Sequence, residues 1–175
     1  MERSVVVITG FMGSGKSAVA HALAQQLQCS TVDLDQLITE IEGSTPTVII
    51  RRDGEDRFRR CENRVLREVL ATGSAAVIAL GGGTWIIPEN RELIEARNCL
   101  TVWLDAPFEL CWKRILASGN ERPLAPDQIT ARNLYERRKP IYALAQFHVR
   151  VADKRAVSEI SSEIARALIN PVPKT

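Results

Sequence analysis

Short runs of apolar residues alternate along the chain with longer segments that have helical spacing. In the predicted helix Lys16–Leu27, for example, Val19, Leu23 and Leu27 recur every fourth residue and share one face. The apolar runs show no polar alternation, which is typical of strands buried on both sides of a parallel sheet. The predicted strands are Val5–Thr9, Thr31–Asp33, Ala76–Leu80, Leu100–Leu104 and Phe147–Val151.

This alternation of strands and helices predicts an α/β domain. Strand–helix–strand units join through right-handed crossovers into a parallel sheet, and ligands of such sheets bind beyond the carboxyl ends of the strands. The length of 175 residues corresponds to one domain. A composition that is 45% hydrophobic and 25% charged is ordinary for a globular protein. We therefore expect a single domain over residues 1–175.

Charge and cysteine usage exclude several classes of function. A net charge of +2 rules out polyanion binding driven by bulk charge, so we expect no nucleic-acid partner. The cysteines, Cys29, Cys61, Cys99 and Cys111, form no C-x-x-C pair, which favours small buried side chains in a reduced, cytoplasmic protein. No apolar stretch has the length of a signal peptide or a membrane span. We expect a monomer with a frayed tail at Asn170–Thr175.

The segment after the first predicted strand carries the clearest chemistry. Residues 10–17, GFMGSGKS, fit the pattern G-x-x-x-x-G-K-[ST] between a strand and a helix. Backbone N–H groups of such a loop surround phosphate oxygens, while the lysine reaches the β- and γ-phosphates and the serine holds Mg²⁺. The alternative is a tight glycine turn with an exposed lysine. The predicted ATP contacts are Gly13, Ser14, Gly15, Lys16, Ser17 and Ala18.

Two carboxylates end the second predicted strand. Asp33 and Asp35 are two residues apart, so on a strand both would project into the crevice from the same side. One of the two carboxylates can support Mg²⁺, and the other can accept hydrogen bonds from a substrate hydroxyl. The alternative for Asp35 is a cap on the following helix, predicted over Gln36–Ile41.

An arginine-rich segment follows. Between Arg51 and Arg67 there are seven arginines, mixed with acidic residues. Such a run is usually a solvated helix, and it lacks the interleaved aromatic residues of a nucleic-acid surface. Arg59 and Glu62, however, are three residues apart, so Glu62 can hold the Arg59 guanidinium in place for an anionic substrate group.

Three consecutive glycines, Gly81, Gly82 and Gly83, follow the third predicted strand. Many triphosphatases carry an acidic metal ligand at this position, but here bare backbone can approach a ligand closely. A plain turn is the alternative. The next aromatic residue, Trp85, could line the site, although packing is the more common role.

Together these segments resemble shikimate kinase over essentially the whole chain: the phosphate loop, DLD at 33–35, GE at 54–55 with Phe58, Arg59 and Glu62, and the glycine triplet. The resemblance implies a three-layer P-loop kinase with a five-stranded parallel sheet and a lid, which phosphorylates the 3-hydroxyl of shikimate with ATP and Mg²⁺. It implies catalytic roles for Lys16, Asp35 and Arg122, which leaves Asp33 to support Mg²⁺ together with Ser17. It assigns substrate binding to Asp35, Arg59, Gly81, Gly82, Gly83 and Arg138, in part on helices at about 34–72.

The later part of the chain extends this resemblance. Arg122 follows a flexible polar stretch and resembles the arginine of a lid, here at about 116–128, that closes on the ATP phosphates. Arg114 stands where the family stacks an arginine on adenine, and RKPIY at 138–142 selects Arg138 over Arg137 as the carboxylate ligand. A surface arginine is the alternative for each.

Some residues depart from the family pattern. Ile50 replaces a common pocket phenylalanine, Ala125 follows Leu124 where the family has a second leucine, and the interval from Arg122 to Arg138 is short. Two further hypotheses therefore stay open: a kinase for another polyhydroxy acid such as gluconate, and a catalytically silent nucleotide-binding homologue. The intact residues at 16, 17, 33, 35 and 122 argue against the silent homologue.

Overall fold

The sheet is parallel throughout, and its strand order places the end of the first strand at the centre. The computed structural model describes residues 5–119 and 122–169, so the predicted tail lies outside the described residues. Within them the strands follow the order β2-β3-β1-β4-β5. Their bounds are β1 Val6–Thr9, β2 Thr31–Asp33, β3 Val77–Ala79, β4 Leu100–Asp105 and β5 Phe147–Arg150.

Helices cover both faces of this sheet. All of the residues of β1 are buried, and because successive side chains point to opposite faces, each face must be covered. The helices are α1 Lys16–Leu27, α2 Leu34–Glu42, α3 Pro46–Asp53, α4 Glu55–Thr72, α5 Pro88–Glu95, α6 Phe108–Ser118, α7 Gln128–Tyr142 and α8 Val157–Ile169, with a 3-10 turn at Thr84–Ile86. The predicted three-layer α/β fold with five parallel strands is confirmed for the described residues.

Local sequence explains most element boundaries. The helix predicted over Lys16–Leu27 has these bounds in the structure, and the strands differ from prediction by at most one residue at an end. The helix expected at Gln36 instead begins at Leu34, because the Asp33 side chain accepts a hydrogen bond from the Gln36 N–H at 3.2 Å and caps it. Cys61, Cys99 and Cys111 are buried free thiols, and Cys29 is half-buried.

The strand order fixes where a ligand can bind. β1 pairs with β3 on one side and with β4 on the other, so the chain reverses its direction of travel across the sheet at β1. The loops that follow β1, β2 and β3 consequently converge beyond the carboxyl edge of the sheet. None of the helices in the described ranges is long and apolar enough to cross a membrane.

Candidate active site

A cavity of about 420 Å³ opens at this carboxyl edge. Its walls come from the phosphate loop, the start of α2, the helices α3 and α4, the glycine triplet, α6, α7 and the segment at 122–124. It brings together these predicted site residues: Gly13, Gly15, Lys16, Ser17, Ala18, Asp33, Asp35, Arg59, Gly82, Gly83, Arg114, Arg122 and Arg138. The other two, Ser14 and Gly81, are buried and do not line the cavity.

The phosphate loop packs closely against α6. Gly13 has a φ of 78°, and a Cβ atom there would lie 2.6 Å from the carbonyl oxygen of Cys111 on α6. Only glycine therefore fits at this position. Lys16 reaches back across the loop and donates from Nζ to the Phe11 carbonyl oxygen at 2.9 Å. Burial lowers the pKa of Lys16 to about 8, which an incoming phosphate would counteract.

Ser17 and Asp33 form the predicted metal pair. The Ser17 hydroxyl donates a hydrogen bond to Asp33 Oδ2, so the first residues of α1 and the end of β2 meet at the cavity. The described residues include no cluster of three or more His, Cys, Asp or Glu side chains arranged around a common point. One hydroxyl and one carboxylate suit Mg²⁺, which keeps several waters and takes its other ligands from substrate phosphates.

Asp35 lines the cavity from a helix, although the sequence predicted that it would do so from the end of a strand. Asp33 and Asp35 both line the cavity, but Asp35 lies in the first turn of α2, so the expected strand geometry for the pair is wrong. The alternative role as a helix cap is also wrong, because Asp33 is the cap. Asp35 Oδ1 has no hydrogen-bond partner among the described residues. Burial, and secondarily the charge of Glu62, raises the pKa of Asp35 to about 6.

Arg59 on α4 is fixed by two carboxylates. Its NH1 lies 2.5 Å from Glu62 Oε2, and its NH2 lies 2.7 Å from Glu55 Oε1. The Glu62 side chain is only 1% exposed, whereas the Arg59 side chain is 17% exposed and lines the cavity. A buried carboxylate thus supports the guanidinium from behind, as the three-residue spacing predicted.

The glycine triplet allows side chains to approach the backbone closely. A Cβ atom at Gly81 would lie 2.6 Å from Asp35 Oδ1, and one at Gly83 would lie 2.5 Å from both terminal nitrogens of Arg59. The Gly82 carbonyl accepts a hydrogen bond from Arg138 NH1 at 3.1 Å. The segment does form a turn, as the alternative had it, and in addition a Cβ atom at Gly81 or Gly83 would displace the side chains that approach it.

Two more arginines, Arg114 and Arg122, border the cavity. Arg114 NH1 lies 3.3 Å from the carbonyl oxygens of Gly13 and Ser14, so α6 contacts the phosphate loop through this side chain. Arg122 lines the cavity, and its Nε is buried without a hydrogen-bond partner in the part of the chain that the structure describes. The predicted lid continues through residues 120 and 121, which lie outside that part.

Several residues around the cavity were not predicted from the sequence. Pro46 and Thr47 line it from α3 beside Ile50, and the helix start at Thr45 and Pro46 was a readable signal for that element. The Tyr142 hydroxyl donates to the Gly82 carbonyl, a contact across 60 positions that no local pattern marks. Trp85 does not line the cavity. It is packed, 1% exposed, and donates from Nε1 to the Ile141 carbonyl at 2.9 Å.

Known proteins are similar to this chain over most of its length. A family model described as shikimate kinase matches residues 12–169. The shikimate kinase of Symbiobacterium thermophilum is 39% identical over 93% of this chain and 95% of that protein. The shikimate kinase of Thermus thermophilus is 36% identical over 93% of this chain and 89% of that protein.

Solved structures are similar to this chain in fold. Shikimate kinase from Acinetobacter baumannii in complex with shikimate superposes with a TM-score of 0.88 at 29% identity, covering 98% of this chain and 97% of that one. A gluconokinase from Sinorhizobium meliloti superposes with a TM-score of 0.65 at 19% identity over 96% and 93% of the two chains, a likeness of fold alone.

Proposed function

The chain belongs to the shikimate kinase family, and from this premise we propose that it transfers the γ-phosphoryl group of ATP to the 3-hydroxyl of shikimate. One observation carries the proposal. A single cavity holds a phosphate loop, an acidic group with an unpartnered oxygen at Asp35, and two fixed guanidinium groups at Arg59 and Arg138. This set matches a donor with phosphates and an acceptor that carries both hydroxyl groups and a carboxylate.

Arg59 and Arg138 would hold the carboxylate of the acceptor. Both contact the glycine triplet, Arg59 against Gly83 and Arg138 at the Gly82 carbonyl, so they face the cavity from neighbouring points of its wall. A guanidinium group can form two parallel hydrogen bonds to a carboxylate, which fixes the orientation of the acceptor as well as its position. The acceptor hydroxyl is thereby presented to Asp35.

The phosphates of ATP would occupy the loop at residues 10–17. Lys16 and Arg122 supply positive charge beside them, and Arg122 Nε has hydrogen-bonding capacity that no described residue uses. Arg114 lies on the same side, where we expect it to contact the adenine. Ser17 and Asp33 would hold Mg²⁺, which neutralises charge on the transferred phosphoryl group when it is bound.

Asp35 would orient the attacking hydroxyl by accepting its hydrogen bond through Oδ1, and it would take the proton as the bond to phosphorus forms. In the free protein its pKa of about 6 leaves it mostly ionised at neutral pH, and makes it a better proton acceptor than an exposed aspartate. Phosphoryl transfer needs positioning and charge neutralisation more than covalent chemistry, which is what this residue set offers.

A coupled assay of ADP release with and without shikimate tests the proposal. Shikimate should stimulate ADP release strongly, and the stimulation should require Mg²⁺. A parallel arm replaces shikimate by gluconate and other hydroxy acids. Stimulation by gluconate alone would move the proposal to another acceptor, and ATP binding without stimulation by any acceptor would indicate a silent homologue.

The proposal also covers the working form of the protein. We take the 175 residues as one kinase domain that acts as a cytoplasmic monomer. All proposed ligands of ATP and shikimate come from one chain, so the site needs no second copy. Light scattering at the concentrations of the assay tests this, and a dimer at those concentrations would contradict it.

A further inference from the structure

We propose that Thr84 is a positioning residue for the acceptor carboxylate, acting through Glu62 on Arg59. This inference rests on the proposed function, because it concerns how one of the carboxylate-binding arginines is held. Thr84 begins the 3-10 turn directly after the glycine triplet and is fully buried. It does not line the cavity, so it acts through its neighbours.

The Thr84 hydroxyl completes the coordination of a buried carboxylate. It donates to Glu62 Oε1 at 2.6 Å, while the other oxygen of Glu62 accepts from Arg59 at 2.5 Å. The glutamate is buried at the edge of the cavity, and its Oε1 accepts from Thr84 on the side away from Arg59. With both oxygens engaged, Glu62 has one fixed orientation, and the direction of the Arg59 guanidinium follows from it.

Thr84 is itself held from both sides. Its carbonyl oxygen accepts from Asn90 Nδ2 at 3.0 Å, and Asn90 Oδ1 accepts from Asn63 Nδ2 at 2.7 Å. Asn63 and Glu62 are adjacent on α4, so this helix contacts the Thr84 hydroxyl directly and the Thr84 carbonyl through Asn90. Asn90 is 1% exposed. The result is a closed set of polar contacts, buried except at the half-buried Asn63, in which the position of the hydroxyl is well defined.

Other arrangements of Arg59 are available if this contact is lost. Arg59 also pairs with Glu55, whose side chain is 44% exposed. Without the Thr84 hydroxyl, Glu62 Oε1 would be a buried acceptor lacking a donor, which favours rotation of the carboxylate. Arg59 would then keep its solvent-side partner and turn away from the direction that binds the acceptor.

The test compares Thr84→Val, which keeps the shape and removes the hydroxyl, with Thr84→Ser, which keeps the hydroxyl. We expect the KM for shikimate to rise roughly ten-fold in the valine variant, because a hydrogen bond to a charged group is lost. The KM for ATP should stay within about two-fold of wild type, and the serine variant should resemble wild type in both. Should the valine variant not fold, Thr84→Ala takes its place.

A matched control and a modified acceptor separate positioning from stability. Thr101 is also buried, and its hydroxyl accepts from the Gln146 N–H at 2.9 Å, but it lies on β4 and does not line the cavity. Thr101→Val should lower the melting temperature and leave the KM for shikimate unchanged. With the methyl ester of shikimate, which lacks the anionic carboxylate, the KM of Thr84→Val should be close to that of wild type.

The outcomes distinguish this inference from the proposed function. If wild type fails to phosphorylate shikimate, both fall. If wild type is active, three results would overturn the role of Thr84 and leave the proposed function standing. In Thr84→Val both KM values rise alike, or only the melting temperature changes, or the variant is as impaired with the ester as with shikimate.

Discussion

Ionised Asp35 should destabilise the folded protein. Replacing Asp35 should therefore make the free protein more stable while removing activity. Its pKa is raised from 3.8 to about 6, mainly by burial. A pKa difference of one unit corresponds to about 1.4 kcal/mol, so ionised Asp35 destabilises the fold by roughly 3 kcal/mol. The sign follows from linkage: the folded state binds the proton more tightly, so the unfolding free energy decreases as the pH rises from about 4 to above 6.

Asp35→Asn removes this cost, although it also removes the favourable attraction between Asp35 and Lys16. If about half of the gain survives, the melting temperature at pH 7.5 should rise by roughly 3–6 °C, since 1 kcal/mol shifts a domain of this size by about 2–4 °C. At pH 4 the carboxyl group is largely protonated in the folded wild type, and the difference should nearly vanish. The assay is thermal melting of metal-free, nucleotide-free protein across this pH range.

Asp153→Asn is the matched control. Asp153 is exposed and pairs with Lys113 at 2.9 Å on the surface, and this contact lowers the pKa of Asp153. Such surface pairs contribute little, so the control should not be stabilised at any pH. An Asp35→Asn variant that is less stable than wild type at pH 7.5, or a gain that is the same at pH 4, would refute the reasoning.

Three further substitutions test the cavity walls. Gly83→Ala would push the Arg59 guanidinium away, since the new Cβ would lie 2.5 Å from two guanidinium nitrogens. The KM for shikimate, measured by ADP release, should therefore rise about ten-fold, with little change in melting temperature. Arg138→Lys loses the planar donor fork, so shikimate binding measured by calorimetry should weaken about ten-fold or more while ATP affinity is spared. Gly13→Ala combines a φ of 78° with a contact of 2.6 Å to the Cys111 carbonyl, so it should abolish measurable ATP binding and lower stability by about 2 kcal/mol.

For each of these substitutions one result would exclude the role proposed for the residue. Unchanged shikimate kinetics in Gly83→Ala would mean that Arg59 does not need its observed position. Equal losses of ATP and shikimate affinity in Arg138→Lys would place that arginine elsewhere in the reaction. Normal ATP binding in Gly13→Ala would show that the loop tolerates a different curvature.

The parts of the fold that local sequence determines were predictable. Buried parallel strands need continuous apolar residues, and a phosphate loop needs its glycines and lysine at fixed spacing, so both are visible in the sequence. The start of α2 was not predicted correctly. The Gln36 N–H donates to the Asp33 side chain, and this cap on the helix competes with continuation of the strand. That competition depends on the backbone turn after β2, which the sequence pattern does not specify.

Motif and spacing predicted the phosphate loop and the Arg59–Glu62 contact, whereas the later arginines of the site were predictable only through the resemblance to a family. The membership in the shikimate kinase family that the motifs indicated is confirmed, whereas the roles of individual site residues stay predictions. The supporting contacts were invisible beforehand. Thr84 meets Glu62 across 22 positions and Tyr142 meets Gly82 across 60, so both contacts depend on how α4 and α7 pack.

The central claim is that the γ-phosphoryl group reaches one particular hydroxyl of shikimate. Two-dimensional ¹H–³¹P NMR of the product, after incubation of the protein with ATP, Mg²⁺ and shikimate, tests it directly. We expect one phosphate ester, coupled to the proton on carbon 3. A phosphate ester on another hydroxyl, or ADP formation with no ester at all, would contradict it.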